Sequence, residues 1–147
     1  MRQPEQKGAV SPKDHWNIQN GTVYDRFTAL TWQEAIPSTG GDDGLGDFSW
    51  SNAESYCAQL ALDGGGWRLP KVKELATLVD VTTEVPAIDS SAFPGTPGEG
   101  SGSAISDSFW TSTLVTGFTT GGLLVDFAYG VIGDDGVQYP YRVRCVR

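Results

Sequence analysis

No apolar run reaches the length of about 18 residues that a bilayer-spanning helix needs, so membrane insertion is not expected. Histidine occurs once, at His15, and cysteine twice, at Cys57 and Cys145. Structural zinc sites usually take four Cys or His ligands, acyl-transfer triads need a base that is normally His, and iron oxygenases cluster their His ligands. This chain can assemble none of them. Basic residues are scarce as well: ten Lys and Arg face eighteen Asp and Glu, a net charge of -8. Nucleic acid and anionic membrane surfaces both call for a basic face, so neither is an expected partner. No repeat and no heptad is visible, and nothing positions any two acids as the carboxylate pair of a glycosidase. The expectation is a non-catalytic protein.

What is present is a chain of 147 residues, 39% apolar and 11% aromatic, with 19 glycines and 8 prolines. That length fits one domain with one core, and the glycine and proline content favours short strands and turns over long helices. The opening "MRQPEQKGAVSPKDHWN" lacks a signal-like apolar stretch and reads as a polar tail. Residues 1–15 are assigned to that tail and 16–147 to a single domain.

The Asn20-Gly21 turn introduces "NGTVYDRFTALTW", one or two short strands. In "SNAESYCAQLAL", Ser51 and Glu54 have capping-box spacing, and Ala53, Tyr56, Cys57, Leu60 and Ala61 share a helix face. "GGGWRLPKVKEL" makes a corner before a second helix over about 71–79, with Pro70 in its first turn and Val72, Leu75, Ala76, Leu78 and Val79 as its apolar stripe. "PGTPGEGSGSAISDS" is a loop. "FWTSTLV", "GLLVDFAYG" and "VQYPYRVRCVR" are strand candidates. In the last of them Tyr139, Tyr141, Val143 and Cys145 alternate with Arg142 and Arg144.

Cys57 and Cys145 are either a disulfide or two buried thiols. Both point inward on their elements and could meet where the first helix packs on the final strand, which favours the bond. Closing that loop would stabilise by about 2 to 4 kcal/mol and place the protein outside a reducing cytosol.

No cofactor is expected, but two acidic turns raise the question of Ca²⁺. "GGDDGLGD" offers Asp42, Asp43 and Asp47 as hard oxygen ligands on a glycine loop, and "GDDG" offers Asp134 and Asp135. Leu45 breaks the EF-hand alternation, and solvated Asp/Gly turns are the plainer reading. A binding surface is drawn from late residues: Trp110, Asp126, Tyr129, Asp134, Asp135, Gln138, Tyr139 and Arg142. Aromatic rings that stack on sugars or apolar groups, with Asp, Gln or Arg fixing orientation, are a common recognition recipe. Trp110 and Tyr139 have the core as their alternative reading, while Tyr129 and the turn aspartates are expected at solvent. Arg142, Arg144 and Arg147 fall within the last six positions, a local cluster able to hold a carboxylate or sulfate.

"GTVYDRFTALTWQ", "WSNAESYCAQL", "GGGWRLPKVKELATLVD", "AIDSSAF", "FWTST", "VDFAYG" and "YRVRCVR", in this order over about 19–147, resemble the C-terminal domain family of the Legionella collagen-like adhesin. The resemblance implies an α+β, C-type lectin-like fold: two helices on a small twisted antiparallel sheet, first and last strands side by side, and a long irregular loop region. It further implies a helix-to-last-strand disulfide between Cys57 and Cys145, Trp67 and Leu69 in the core, and Arg68 paired near the corner. The animal lectin calcium motifs are absent. The implied role is an exported or cell-surface recognition module that binds a glycan or a cell-surface protein through its long-loop face. The alternatives are a structural cap or trimerisation domain of a larger adhesin, hence a homo-oligomer, and an enzyme on a formylglycine-generating-like fold. A polysulfated glycan is not carried over, because it needs a wide basic surface.

Overall fold

The computed structural model describes residues 15–97, 107–117 and 120–147. The centre of the Gly/Pro/Ser-rich stretch, 98–106, lies outside the described residues. The fold is α+β, with two helices and β-structure divided among three small sheets.

The first sheet is an antiparallel meander of β1 (Trp16–Gln19), β2 (Thr22–Asp25) and β3 (Thr31–Gln33). Asn20 and Gly21 both adopt positive φ, 54° and 76°, the backbone a two-residue hairpin turn requires. His15, the last residue of the expected tail, stacks on Trp16 with ring centroids 3.9 Å apart and sets Nε2 2.9 Å from the buried Asp25 carboxylate. The second sheet is a minimal parallel pair, β4 (Gly40–Gly41) with β5 (Leu45–Asp47). The third is antiparallel: β6 (Ser108–Leu114), β7 (Gly121–Asp126) and β8 (Val131–Gly136).

β6 and β7 form the centre of the molecule. Phe109 pairs with Val125, and Trp110 with Leu124. Successive side chains on a strand point to opposite faces, yet all four of these are buried, so the sheet is covered on both sides. Phe109 and Val125 pack with Val23, Trp32, Leu75 and Phe93. Trp110 and Leu124 pack with Phe48, Trp67, Tyr141 and the two cysteines.

The first helix, α1 (Trp50–Gln59), starts one residue before the expected capping box. Ser49 is its N-cap, without a side-chain capping bond, so Ser51 lies in the first turn, where its carbonyl accepts from Ser55 Oγ at 3.1 Å. The second helix, α2 (Val72–Ala76), is shorter than the apolar stripe predicts; turn-type bonds from Leu78 to Leu75 and Val79 to Ala76 carry the chain on. Pro70 precedes the N-cap Lys71, whose N–H is held by Glu74 Oε1 at 2.8 Å. Glu74 also takes a two-pronged bond from Arg68, at 2.7 and 2.8 Å, and Trp67 and Leu69 are buried. The three glycines of the corner all have positive φ.

The last segment is not the regular strand its alternation predicts. Val146 bridges both Trp32 and Arg68, Tyr141 bridges Phe48, and Arg142 bridges Phe109. It thus moves from partner to partner as a spine through the core, and Pro140 denies it a ladder N–H at the start. β3 and the chain end lie side by side, Thr31 and Arg147 exchanging backbone bonds of 2.9 Å each. A disulfide joins Cys57 on α1 to Cys145 on this spine, with Cα atoms 5.5 Å apart.

Candidate functional site

The acidic loop before α1 is folded onto the terminal spine. Asp43 Oδ1 accepts from the Leu45 and Asp47 N–H groups, at 2.8 and 3.2 Å, which curls the loop. Asp42 Oδ1 accepts from Asn52 Nδ2 on α1 at 2.9 Å. Asp47 is buried, and its Oδ1 lies 3.1 Å from Arg142 Nε as an ion pair without the alignment of a hydrogen bond. Arg142 also donates to the Leu45 carbonyl at 2.9 Å. Gly41 and Gly46 are obligatory: a Cβ would lie 2.1 Å from the Asp47 carbonyl oxygen and 2.2 Å from that of Pro37. Burial pushes the Asp47 carboxyl up to about 7, Asp43 beside it adds to the rise, and Arg142 opposes it. The bond from Asn52 keeps Asp42 below the usual carboxylate range. The three candidate metal ligands therefore serve three partners: Asn52, the loop backbone and Arg142. Among the described residues no group of three His, Cys, Asp or Glu side chains is arranged to hold a metal ion.

Beside this loop runs a groove of about 510 Å³, lined by Gly41, Asp42, Phe48, Asn52, Ser55, Tyr56 and Gln59. Asn52, Ser55, Tyr56 and Gln59 fall at i, i+3, i+4 and i+7, one face of α1. Ala53 and Cys57, a turn apart, are buried on the core side. The Phe48 and Tyr56 rings meet with centroids 5.0 Å apart and give the groove an aromatic wall. The Tyr56 hydroxyl accepts from Gln33 Nε2 at 2.8 Å, while Gln33 Oε1 accepts from the Cys145 N–H at 3.1 Å, so the ring is braced by the residue that carries the disulfide. Among the described residues no basic side chain lines the groove, and its one charged group is Asp42. Such a surface can stack an apolar sugar face and hydrogen-bond hydroxyls.

The sequence profile of the Lcl C-terminal domain family matches residues 21–147, most of the chain. The chain belongs to that family. No curated protein matches it. Membership suggests a component of a collagen-like adhesin, with a surface or exported location and a role in binding other molecules rather than in catalysis. Among the described residues no helix is long and apolar enough to cross a membrane.

The remaining predicted residues of the Lcl C-terminal domain are dispersed. Trp110 is fully buried and donates its Nε1–H to the Phe48 carbonyl at 2.7 Å, so it supports the groove wall from behind instead of facing solvent. Asp126 caps the turn after β7 by accepting from Ala128 N–H at 2.7 Å. Tyr129 and Tyr139 are exposed, as are Asp134 and Gln138. Asp135 accepts from the Tyr141 hydroxyl and from the Gly136 N–H, and that contact, after burial, raises the Tyr141 hydroxyl above its ordinary range. "GDDG", expected as a turn, lies in strand β8.

The terminal arginines do not form an anion site. Arg144 is fully buried; it donates to the carbonyls of Gln33 and Glu34 and to Thr96 Oγ1 at 2.6 to 2.8 Å and lies over the Phe93 ring. Arg147 lies over Trp67 and binds Asp63 and the Gly65 carbonyl, clasping the glycine corner. Alternation put Arg142 and Arg144 on one face correctly, but that face is covered as well. The groove on α1 was missed by sequence reasoning, although the Asn52/Ser55/Tyr56/Gln59 spacing was there to find once the apolar face had been assigned.

Proposed function

We propose that this domain is a non-catalytic recognition module of an exported adhesin, and that it binds an uncharged glycan in the groove beside the acidic loop. The observation that carries this reading is the groove's composition: two braced aromatic rings, three neutral polar side chains from one helix face, the Asp42 carboxylate at its edge and, among the described residues, no cation. A neutral hydroxyl-rich ligand suits such a wall, whereas a polysulfated chain needs the terminal arginines, of which Arg144 is buried and Arg142 and Arg147 are paired with Asp47 and Asp63. A C-type lectin-like architecture is part of the proposal; the pairing of β3 with the C-terminal residue and the α1-to-spine disulfide support it.

The test is a glycan array probed with the wild-type domain and with Ser55→Trp, which fills the groove from an exposed helix position. Neutral glycans retained by the first and lost by the second, at unchanged thermal stability, are the expected result. Retention of sulfated glycans alone, or equal binding by the filled variant, would overturn it. Repeating the array with a chelator tests for a Ca²⁺ ion held by Asp42, Asp43 and Asp47.

A further inference from the structure

β8 is an open strand edge. Its six residues pair with β7 along their whole length, and among the described residues no strand lies on its other side. Up to Gly136, whose N–H donates to Asp135 Oδ1 and whose carbonyl accepts from the Tyr139 N–H, that side offers backbone N–H and C=O groups as a template for strand addition. Unlike β6 and β7, its first half is uncovered on both faces: Val131 and Ile132 are 54% and 57% exposed, and Tyr129 just before them 66%. At the other end of the strand a hollow of about 400 Å³ is lined by Val115, Thr120, Gly121, Asp134, Asp135 and Gly136. Among the described residues neither carboxylate has an ion-pair partner, the four pairs present lying elsewhere. The strand therefore has an apolar head and an anionic tail.

We propose that β8 is a docking edge for an extended, basic segment of a partner protein, which adds beside it as a fourth strand. An apolar side chain of that segment covers Val131 or Ile132, and a Lys or Arg enters the hollow at Asp134 and Asp135. Asp135 is already oriented by the Tyr141 hydroxyl and the Gly136 N–H. Charge complementarity decides against a second copy of this chain as the occupant. Antiparallel pairing of two β8 strands lays the acidic half of each along the apolar half of the other, desolvating carboxylates with no cation to receive them. Parallel pairing sets like charges side by side, and each chain carries -8.

The experiment is amide NMR of the ¹⁵N-labelled domain with a synthetic peptide of about eight residues alternating Lys and Val, long enough for one strand. Resonances of 131–136 are expected to shift, with slowed hydrogen exchange at the outward-facing amides of β8. Asp134→Lys, at an exposed position, should weaken binding at least about tenfold, or about 1.4 kcal/mol, without altering thermal unfolding. A matching Glu/Val peptide, and a Lys/Val peptide N-methylated at alternate amides, should not bind. The proposal is overturned if the Glu peptide binds equally well, if N-methylation has no effect, or if shifts fall away from β8 or do not occur at millimolar peptide. Shifts of 131–136 that depend on domain concentration without peptide would make a second copy the occupant and overturn it equally.

Discussion

Two acidic glycine segments, "GGDDGLGD" before α1 and "GDDG" in β8, are nearly alike in composition and opposite in fate. In the first, the glycines let backbone approach backbone, Asp43 curls the loop, and Asp47 is drawn under Arg142. In the second, a Cβ at Gly133 would meet nothing within 4 Å, and Asp134 faces solvent. The difference lies in what the chain places opposite each segment. The terminal spine brings the Arg142 guanidinium to Asp47 of the first, whereas to the second it brings only the Tyr141 hydroxyl, which holds Asp135 and leaves Asp134 at the open sheet edge. An acidic segment is thus structural or available according to its distant partner, a property no local composition encodes.

The largest effect expected from breaking this contrast is at Arg142→Ala, which leaves Asp47 buried beside Asp43 without its cation. A loss of about 3 kcal/mol in urea unfolding is predicted, at the low end for a broken buried pair because Asp47 can take up a proton. Next come paired glycine substitutions. Gly46→Ala, with φ of 88° and a backbone oxygen in the way, should cost about 2 kcal/mol, while Gly133→Ala should change stability by less than about 0.5 kcal/mol. Equal effects at the two glycines would erase the distinction.

The pH dependence sharpens it further. Asp47 titrates at about 7 in the folded domain but near its ordinary value of 3.8 once unfolded. Between these values the folded state holds the extra proton, so this group makes stability fall as pH rises from about 4 to about 7. Asp47→Asn should flatten that part of a pH series of melting temperatures. The smallest effect belongs to Asp134→Asn, for which thermal unfolding should move by less than the equivalent of about 0.5 kcal/mol.

Much of the fold was legible because local chemistry and tertiary need agree. Asn20-Gly21 demanded a hairpin, the glycine corner demanded an unusual backbone path, and the inward aim of Cys57 and Cys145 brought them together. The site was less legible. Alternation sets Arg144 opposite Cys145 but cannot tell that both faces of the spine are covered, with main-chain carbonyls satisfying the guanidinium. Trp110 carries the same aromatic signal whether it stacks on a ligand or fills a core. The strand in "VIGDDG" was hidden because a sheet edge tolerates Gly and Asp that a central strand would not.

The central claim is that ligand recognition here is electrically neutral, since the arginines of the chain end are occupied within the fold. The most direct measurement is an NMR titration of a neutral array hit at low and at high ionic strength. The account predicts shifts centred on Phe48, Asn52, Tyr56 and Gln59, with an affinity that salt leaves unchanged. Shifts centred on Arg142 and Arg147, with an affinity that collapses as salt rises, would contradict it.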